Sequence, residues 1–250
     1  MKEYETNLFG VDEFHHQSNS RLRFYYEFIR NNKGLDGDIF EFGVYRGASL
    51  IAVALILKEI GSNKKIYGFD SFSGFPSYSE YDDLECFYKF RGQYFSDQFI
   101  AEYENFLDVK RHTTGQKQFD PVSITTSGSF NKTSKEAIMQ MIDHFRLDNV
   151  ILIEGDFVRT VPKFFSTNKV QISAANIDCD LYEGYKVTLP YIFENLSLGG
   201  YVHLDEYFSF KYPGAKIACD EFFSEKNIRP LKNQTRKGEF ERWYFTKSLS

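Results

Sequence analysis

Acidic residues cluster in two short segments in the last third of the chain. Asp178 and Asp180 belong to the segment IDCDLYE, and Asp205 and Glu206 belong to the segment HLDEY. Each segment follows an apolar run that is typical of a buried strand, so the carboxylates are expected at two neighbouring strand ends. Converging carboxylates repel one another unless a cation or hydrogen-bond donors neutralise them. Because every available ligand is an oxygen, a hard divalent cation, most simply Mg²⁺, is the predicted occupant.

A cation held by these carboxylates could bind a substrate hydroxyl, lower its pKa and hold its oxygen in position to attack. Asp178 is therefore assigned to the reaction as well as to the cation. His203 is a candidate general base, because the two-residue period of a strand directs it to the same face as Asp205. The alternative is a core histidine that is hydrogen-bonded within the sheet.

A loop containing two glycines follows the first predicted strand. It reads EFGVYRG, and Gly43 and Gly47 lie where the backbone must turn sharply and approach a ligand closely. Asp70 ends the second predicted strand, where it can bind both ribose hydroxyls of an adenosine cofactor. Asp156, after the third strand, is placed to meet the adenine, and Glu41 to face a methionine ammonium. Because the loop lacks the G-x-G-x-x-G pattern, S-adenosylmethionine, which has no phosphate, suits it better than a dinucleotide.

The elements that must position these residues alternate between strand and helix. Strands are predicted at 38–43, 65–70, 149–154, 170–178, 201–205 and 241–246, and helices at 20–31, 48–60, 97–107, 134–145, 159–165, 183–196 and 215–225. The glycine pair at 199–200 is predicted to end the helix over 183–196. This alternation predicts a doubly wound α/β sheet with ligands outside the carboxyl ends of its strands. The weakly patterned stretch 71–133 is interpreted as an insertion or mobile lid.

Composition excludes several classes of function. The net charge of −5 opposes a broad nucleic-acid surface, and the longest apolar run, 50–57, is too short to cross a bilayer. The polar N-terminus is not a secretion signal, so the chain is predicted to be cytoplasmic. Cys86, Cys179 and Cys219 lack disulfide or zinc spacing and are expected to be reduced thiols. His15 and His16 are expected at the surface, although a dimer interface or a cover over the site is the alternative.

Six motifs, in this order, resemble the macrocin O-methyltransferase family (TylF/MycF type), which methylates sugar hydroxyls in macrolide biosynthesis. They are EFGVYRG (41–47), FDSFSGFP (69–76), EGDF (154–157), DCDLYE (178–183), GGYVHLDE (199–206) and PGAK (213–216). The resemblance implies a class I S-adenosylmethionine-dependent methyltransferase with a mostly parallel, seven-stranded Rossmann-like sheet. Residues 1–36 would then be an N-terminal helical segment and 37–250 the catalytic domain, with an insertion at about 77–130 after the second strand.

The resemblance also implies roles for individual residues. The implied cofactor contacts are Glu41, Gly43, Tyr45, Arg46, Gly47, Asp70, Ser71, Asp156, Phe157 and Asp178. The implied metal ligands are Asp178, Asp205 and Glu206, although the family usually has a second aspartate at the position of Glu206. The expected partner is a small acceptor, with a homodimer or larger homo-oligomer as the assembly.

The acceptor is left broad, because residues 78–128 contain no motif that we can place in the family and are expected to differ from it. We expect a hydroxyl on a small polar molecule, such as a sugar or a sugar- or phosphate-linked metabolite. The alternatives are an N-methyltransferase, a non-catalytic S-adenosylmethionine-binding module and, least favoured, an NAD-linked oxidoreductase. The aromatic residues between Phe72 and Phe99 either line the acceptor pocket or bury the underside of the insertion.

Overall fold

A mixed β-sheet forms the centre of the structure, a computed structural model that describes residues 21–235 and 241–248. Its strands are β1 (Asp38–Phe42), β2 (Ile66–Asp70), β3 (Val150–Glu154), β4 (Ile172–Ile177), β5 (Leu196–Leu204), β6 (Leu231–Lys232) and β7 (Trp243–Thr246). They are ordered β3-β2-β1-β4-β5-β7-β6. The first five strands run parallel, and β7 is antiparallel to both β5 and β6. The prediction of a doubly wound, mostly parallel seven-stranded sheet is confirmed.

Helices cover both faces of this sheet. They are α1 (Arg23–Asn31), α2 (Ala48–Glu59), α3 (Cys86–Lys89), α4 (Asp97–Thr114), α5 (Lys135–His144), α6 (Phe157–Thr167), α7 (Tyr182–Asn195) and α8 (Pro213–Lys226), with a 3-10 turn at Glu80–Asp82. One hydrophobic core joins α1, α2 and α5 to the sheet. The other joins the opposite face to α4, α6, α7 and α8.

The central strands are apolar along their length because both of their faces are covered. In β1, Ile39 belongs to one core and Phe40 to the other, since successive side chains of a strand point to opposite faces. Buried parallel strands have this composition. The same alternation directs Glu41, Asn176 and His203 to the face that α1 and α2 cover.

The glycine pair at 199–200 is placed differently from the prediction. Gly199 and Gly200 lie inside β5, and α7 ends earlier, at Asn195. The register against β4 shifts beside the pair, and Gly199 has a φ of 80°. These features are typical of a bulge, where glycine supplies a conformation that other residues avoid. The prediction that the pair ends a helix is therefore wrong.

Two further differences concern polar segments. α4 continues to Thr114 rather than ending at Leu107, and Gly115 terminates it with a φ of 71°. Its last turns are exposed and polar, so they carry no apolar period. The short strand β6 was also not predicted, because two exposed residues give no pattern.

The insertion between β2 and α5 contributes to the core as well as to a cavity. Phe87, Phe95, Phe99 and Tyr103 are buried in the core that contains Phe210. Phe75 and Tyr78, by contrast, line the cavity described below. The aromatic residues of the insertion are therefore divided between the hydrophobic core and the cavity wall, and an acceptor-binding role for those on the wall stays a prediction.

Two compositional predictions can be compared with the described residues. Cys86, Cys179 and Cys219 are buried free thiols, as expected. Among the helices described, none has the length and apolar character needed to cross a bilayer. His15 and His16 fall outside the described residues, as does the first part of the predicted N-terminal segment.

Candidate active site

A cavity of about 1090 Å³ lies at the carboxyl ends of the parallel strands. Its wall includes the loop after β1, the end of β2, the turn between β3 and α6, the segment between β4 and α7, and Glu206 after β5. In doubly wound sheets ligands bind at this edge, because loops of adjacent strands diverge there. The cavity is therefore where the sequence predicts the cofactor and acceptor to bind.

Gly43 brings the loop after β1 against the end of β4. Its φ is 93°, and a Cβ at this position would overlap the carbonyl oxygen of Asp178. The backbone N–H of Asp178 donates to the carbonyl of Phe42 at 2.8 Å, which holds the two strand ends together. Glycine is required here both for its conformation and for the close approach.

Asp70 lines the cavity and also shapes its wall. One carboxylate oxygen accepts hydrogen bonds from the backbone N–H groups of Val44 and Tyr45, both at 2.8 Å. The other oxygen accepts from the backbone N–H of Phe72 at 2.7 Å. Asp70, which is predicted to bind the ribose, therefore also fixes the conformation of the loop after β1.

Most of the predicted cofactor residues line this cavity. They are Gly43, Tyr45, Arg46, Asp70, Ser71, Asp156, Phe157 and Asp178. Asp156 is also the N-cap of α6, since its side chain accepts from the backbone N–H of Val158 at 3.1 Å. These side chains come from four separate loops, which the parallel sheet gathers at one edge.

Glu41 and Gly47 lie outside the lining of the cavity, which differs from the contacts predicted for them. Gly47 is the N-cap residue that precedes α2, and a Cβ on it would contact the side chain of Ile138. Glu41 is fully buried beneath Ser49, whose hydroxyl donates to one carboxylate oxygen at 2.7 Å. The other oxygen has no hydrogen-bond partner among the described residues. Burial raises the pKa of Glu41 to about 8, although Ser49 and the charge of Arg21 act to lower it.

The three predicted metal ligands converge. One carboxylate oxygen from each of Asp178, Asp205 and Glu206 lies within 4.8 Å of the others. Tyr185 on α7 helps to bring them together, because its hydroxyl donates to the carbonyl of Ile177 at 2.8 Å and accepts from the backbone N–H of Glu206 at 3.1 Å. The ends of β4 and β5 are therefore tied to one side chain.

Arg21 bridges two of these carboxylates, which the sequence did not predict. Its guanidinium donates to Asp178 at 2.6 Å and to Asp205 at 2.5 Å, in each case to the Oδ2 atom. Burial acts to raise the pKa of Asp205, but the charge of Arg21, together with the neighbouring side chain of His203, outweighs it and holds that pKa below its usual range. Burial and the charge of Asp205 raise the pKa of Glu206 to about 7.

Asp180 completes a group of four carboxylates. Burial, followed by the charge of Glu206, raises the pKa of Asp180 well above its usual value. Burial is the largest cause of the raised pKa values of Asp178, Asp180 and Glu206 alike. Within the described chain, the ion pairs of Arg21 involve Asp178 and Asp205.

His203 lies behind Asp205 and is not part of the cavity lining. Its ring is fully buried, with Nε2 3.6 Å from Oδ1 of Asp205, and neither ring nitrogen has a hydrogen-bond partner in the described chain. Burial lowers the pKa of His203, which favours the neutral ring. The strand period thus predicted the face of the sheet on which His203 lies but not how deeply it is buried, and its role as a general base stays a prediction.

The lining of the cavity is rich in hydroxyl groups. These belong to Ser77, Tyr78, Ser79, Thr125, Thr126, Ser127 and Tyr212. All except Tyr212 come from the insertion, and Lys211 adds an ammonium group nearby. The sequence predicted the segment but not these residues, because isolated hydroxyls in a weakly patterned stretch give no periodic signal.

Comparisons with known proteins identify the family of the chain. The sequence profile of the family described as macrocin O-methyltransferase (TylF) matches residues 19–98 and 110–242. The expectation that residues 78–128 do not match the family is therefore wrong for most of that segment. A comparison with proteins of curated function gave no match.

Solved structures share the fold. CalS11, a calicheamicin methyltransferase, is 23% identical with a TM-score of 0.64, and covers 93% of this chain and 80% of its own. The O-methyltransferase NovP is 21% identical with a TM-score of 0.63, at 91% and 78% coverage. An O-methyltransferase from Bacillus cereus in complex with SAH is 12% identical with a TM-score of 0.51, at 98% and 90% coverage. Since the family profile spans most of the chain, this protein belongs to the macrocin O-methyltransferase family of S-adenosylmethionine-dependent methyltransferases.

Proposed function

We propose that the protein transfers a methyl group from S-adenosylmethionine to a hydroxyl of a small, polyhydroxylated acceptor of the sugar or sugar-linked type, with the help of a divalent cation. One observation carries this proposal. The loop after β1, the hydroxyl-bearing residues and two members of the acidic cluster, Asp178 and Glu206, all line the same cavity, and the third member, Asp205, lies next to them. A methyl donor, a hydroxyl and a charge that activates the hydroxyl must meet in this way for the reaction.

The residues present fit a divalent cation. Asp178, Asp205 and Glu206 offer three oxygens in mutual reach, which hard cations prefer. Oδ1 of Asp205 is buried and has no hydrogen-bond partner within the described residues. Glu206 belongs to this set, so the longer side chain at the family's aspartate position still reaches its neighbours. A cation bound there would lower the pKa of the acceptor hydroxyl.

The protein's own residues would orient the two reactants. Gly43 keeps the cofactor loop against the end of β4, so a methyl donor in that loop lies beside Asp178. The acceptor oxygen attacks the methyl carbon, the carbon–sulfur bond breaks, and the products are a methyl ether, S-adenosylhomocysteine and a proton. The wall hydroxyls would hold the acceptor by hydrogen bonds, and the enclosing insertion excludes water from the reacting atoms.

Two observations support a sugar-type acceptor: the hydroxyl groups that line the cavity and the description of a structurally similar protein. A cavity lined by several hydroxyl groups favours a ligand that itself carries several hydroxyls, since each can donate and accept. A second solved structure of CalS11, at 22% identity and a TM-score of 0.56, is described as a TDP-rhamnose 3'-O-methyltransferase. Lys211 and Arg46 on the wall suit an acceptor that also carries phosphate.

A calorimetric titration and a turnover assay test this proposal together. We expect the purified protein to bind S-adenosylhomocysteine and to methylate a nucleotide-linked or phosphorylated sugar when Mg²⁺ is present. Excess EDTA should stop turnover, and added Mg²⁺ should restore it. Full turnover in excess EDTA would show that the reaction needs no divalent cation. If amines are offered as acceptors beside the sugars and only the amines are methylated, the protein is an N-methyltransferase.

A further inference from the structure

The cation that holds the acidic cluster together in this structure belongs to the protein itself. We propose that Arg21 is a resident counter-cation of Asp178 and Asp205, and that a divalent metal binds by displacing its guanidinium. The site would then exchange one cation for another rather than fill an empty position. This inference rests on the metal site of the proposed function.

The contacts of Arg21 involve the oxygens that a metal would need. Its two terminal nitrogens lie 2.6 Å from Oδ2 of Asp178 and 2.5 Å from Oδ2 of Asp205. Both residues are among the three predicted ligands. Magnesium requires its ligand oxygens at about 2.0–2.1 Å. A guanidinium fork in contact with both oxygens lies where such an ion would bind, and two cations would repel each other there.

The charge balance favours the exchange. Asp178, Asp180, Asp205 and Glu206 act on one another and on Arg21, which supplies a single positive charge. A divalent ion supplies two charges and, unlike the arginine, can also reach Glu206.

The displacement needs a movement of one side chain only. Arg21 precedes α1, and the neighbouring Leu22, Tyr25 and Tyr26 are buried in the core, which anchors the backbone at this point. The side chain of Arg21 nevertheless remains 47% exposed, whereas that of Asp205 is 3% exposed. The guanidinium can therefore rotate into the cavity while the carboxylates stay in place.

An ordinary salt bridge and a displaceable counter-cation predict different behaviour. If Arg21 only stabilises the fold, its removal lowers the melting temperature equally with and without metal, and leaves metal affinity unchanged. If it competes with metal, its removal destabilises the metal-free protein, because like charges are left together, and strengthens metal binding. Linkage requires both effects to come from the same contact.

The experiment measures metal binding without turnover. The full-length protein is stripped with EDTA and desalted, and Mn²⁺ binding is followed by calorimetry and by the electron paramagnetic resonance signal of free Mn²⁺. Arg21→Met should bind Mn²⁺ at least about fivefold more tightly than wild type. Its melting temperature should be lower in EDTA, and the rise on adding Mn²⁺ should be larger. Arg91→Met, which breaks an exposed ion pair with Asp97, is the matched control and should resemble wild type.

Arg21→Lys covers the case in which the methionine variant does not fold. Lysine keeps the charge but lacks the fork that bridges two carboxylates, so its Mn²⁺ affinity should lie between those of wild type and Arg21→Met. Equal or weaker Mn²⁺ binding in both variants, with wild type binding normally, would overturn the exchange and leave the proposed function intact. If no variant binds Mn²⁺, the metal part of the proposed function falls together with the exchange.

Discussion

Asp70 and Asp205 lie at the carboxyl ends of parallel strands and at the same edge of the sheet, but different groups neutralise them. Asp70 accepts three hydrogen bonds from backbone N–H groups at 2.7–2.8 Å. Asp205 depends on the side chains of Arg21 and His203, and its Oδ1 atom has no hydrogen-bond partner in the described chain. Backbone donors cannot leave, whereas a side-chain cation can.

This difference separates the cavity into two regions. The region around Asp70 is preformed, because the loop and the carboxylate fix each other. The region around Asp205 holds buried negative charge that the fold does not fully compensate. The first region suits a cofactor recognised by shape and hydrogen bonds, and the second suits a ligand that brings positive charge.

Asp205→Asn should have the largest effect on turnover. Removing the charge from the metal-binding region is expected to lower kcat by about 100-fold or more, because the activating cation is lost. S-adenosylhomocysteine affinity, measured by calorimetry, should change by less than about threefold. Asp97→Asn, an exposed carboxylate outside the cavity, is the control. Similar losses of cofactor affinity and turnover in Asp205→Asn would contradict the separation of the two regions.

Asp70→Asn should show the converse behaviour. An amide cannot accept hydrogen bonds at both of its polar atoms, so the loop after β1 loses one of its supports. Affinity for S-adenosylhomocysteine should fall by about tenfold or more, since hydrogen bonds to a charged group contribute about 1.5–3 kcal/mol each. Mn²⁺ affinity should stay at the wild-type value. An unchanged cofactor affinity would mean that the loop keeps its shape without the carboxylate.

Glu41 differs from both Asp70 and Asp205. Within the described residues, one of its carboxylate oxygens accepts a hydrogen bond from Ser49 and the other has no partner. Its pKa is raised to about 8 by burial, so the folded protein keeps the proton up to that pH, whereas the unfolded chain releases it near 4.5. Glu41 therefore stabilises the fold fully below pH 4.5, and this stability is lost as the pH rises to about 8.

Urea unfolding at several pH values measures this effect. Glu41 should contribute at most about 1.4 kcal/mol per pH unit to the fall of the free energy of unfolding in wild type. In Glu41→Gln the fall should be smaller over the same range, because the amide does not titrate. Parallel pH profiles of the two proteins would show that Glu41 is ionised in the folded state.

His203→Gln is expected to have the smallest effect. The ring lies behind Asp205 and does not line the cavity, so its loss should lower kcat by less than about tenfold through the position of Asp205. The pH profile of kcat should keep its shape. A loss of about 100-fold together with a missing ionisation in the profile would support the general-base role predicted from the strand period.

The sequence predicted the strand ends and therefore the carboxylates that meet there, since parallel strands bring their carboxyl ends to one edge. It did not predict Arg21, because this residue contacts Asp178 and Asp205 across 157 and 184 positions of the chain and no local pattern marks such a contact. The alternation of side chains along a strand predicts on which face of the sheet Glu41 and His203 lie, but not that both are fully buried. The hydroxyl-rich wall was missed for a related reason, because its residues lie in irregular segments.

The packing of Gly43 against Asp178 joins the two regions mechanically. The loop after β1 touches the carbonyl of Asp178, and the backbone N–H of Asp178 donates to Phe42 at 2.8 Å, so a shift of one segment is transmitted to the other. If the proposed function holds, a movement of that loop during cofactor exchange would therefore also move a proposed ligand of the cation.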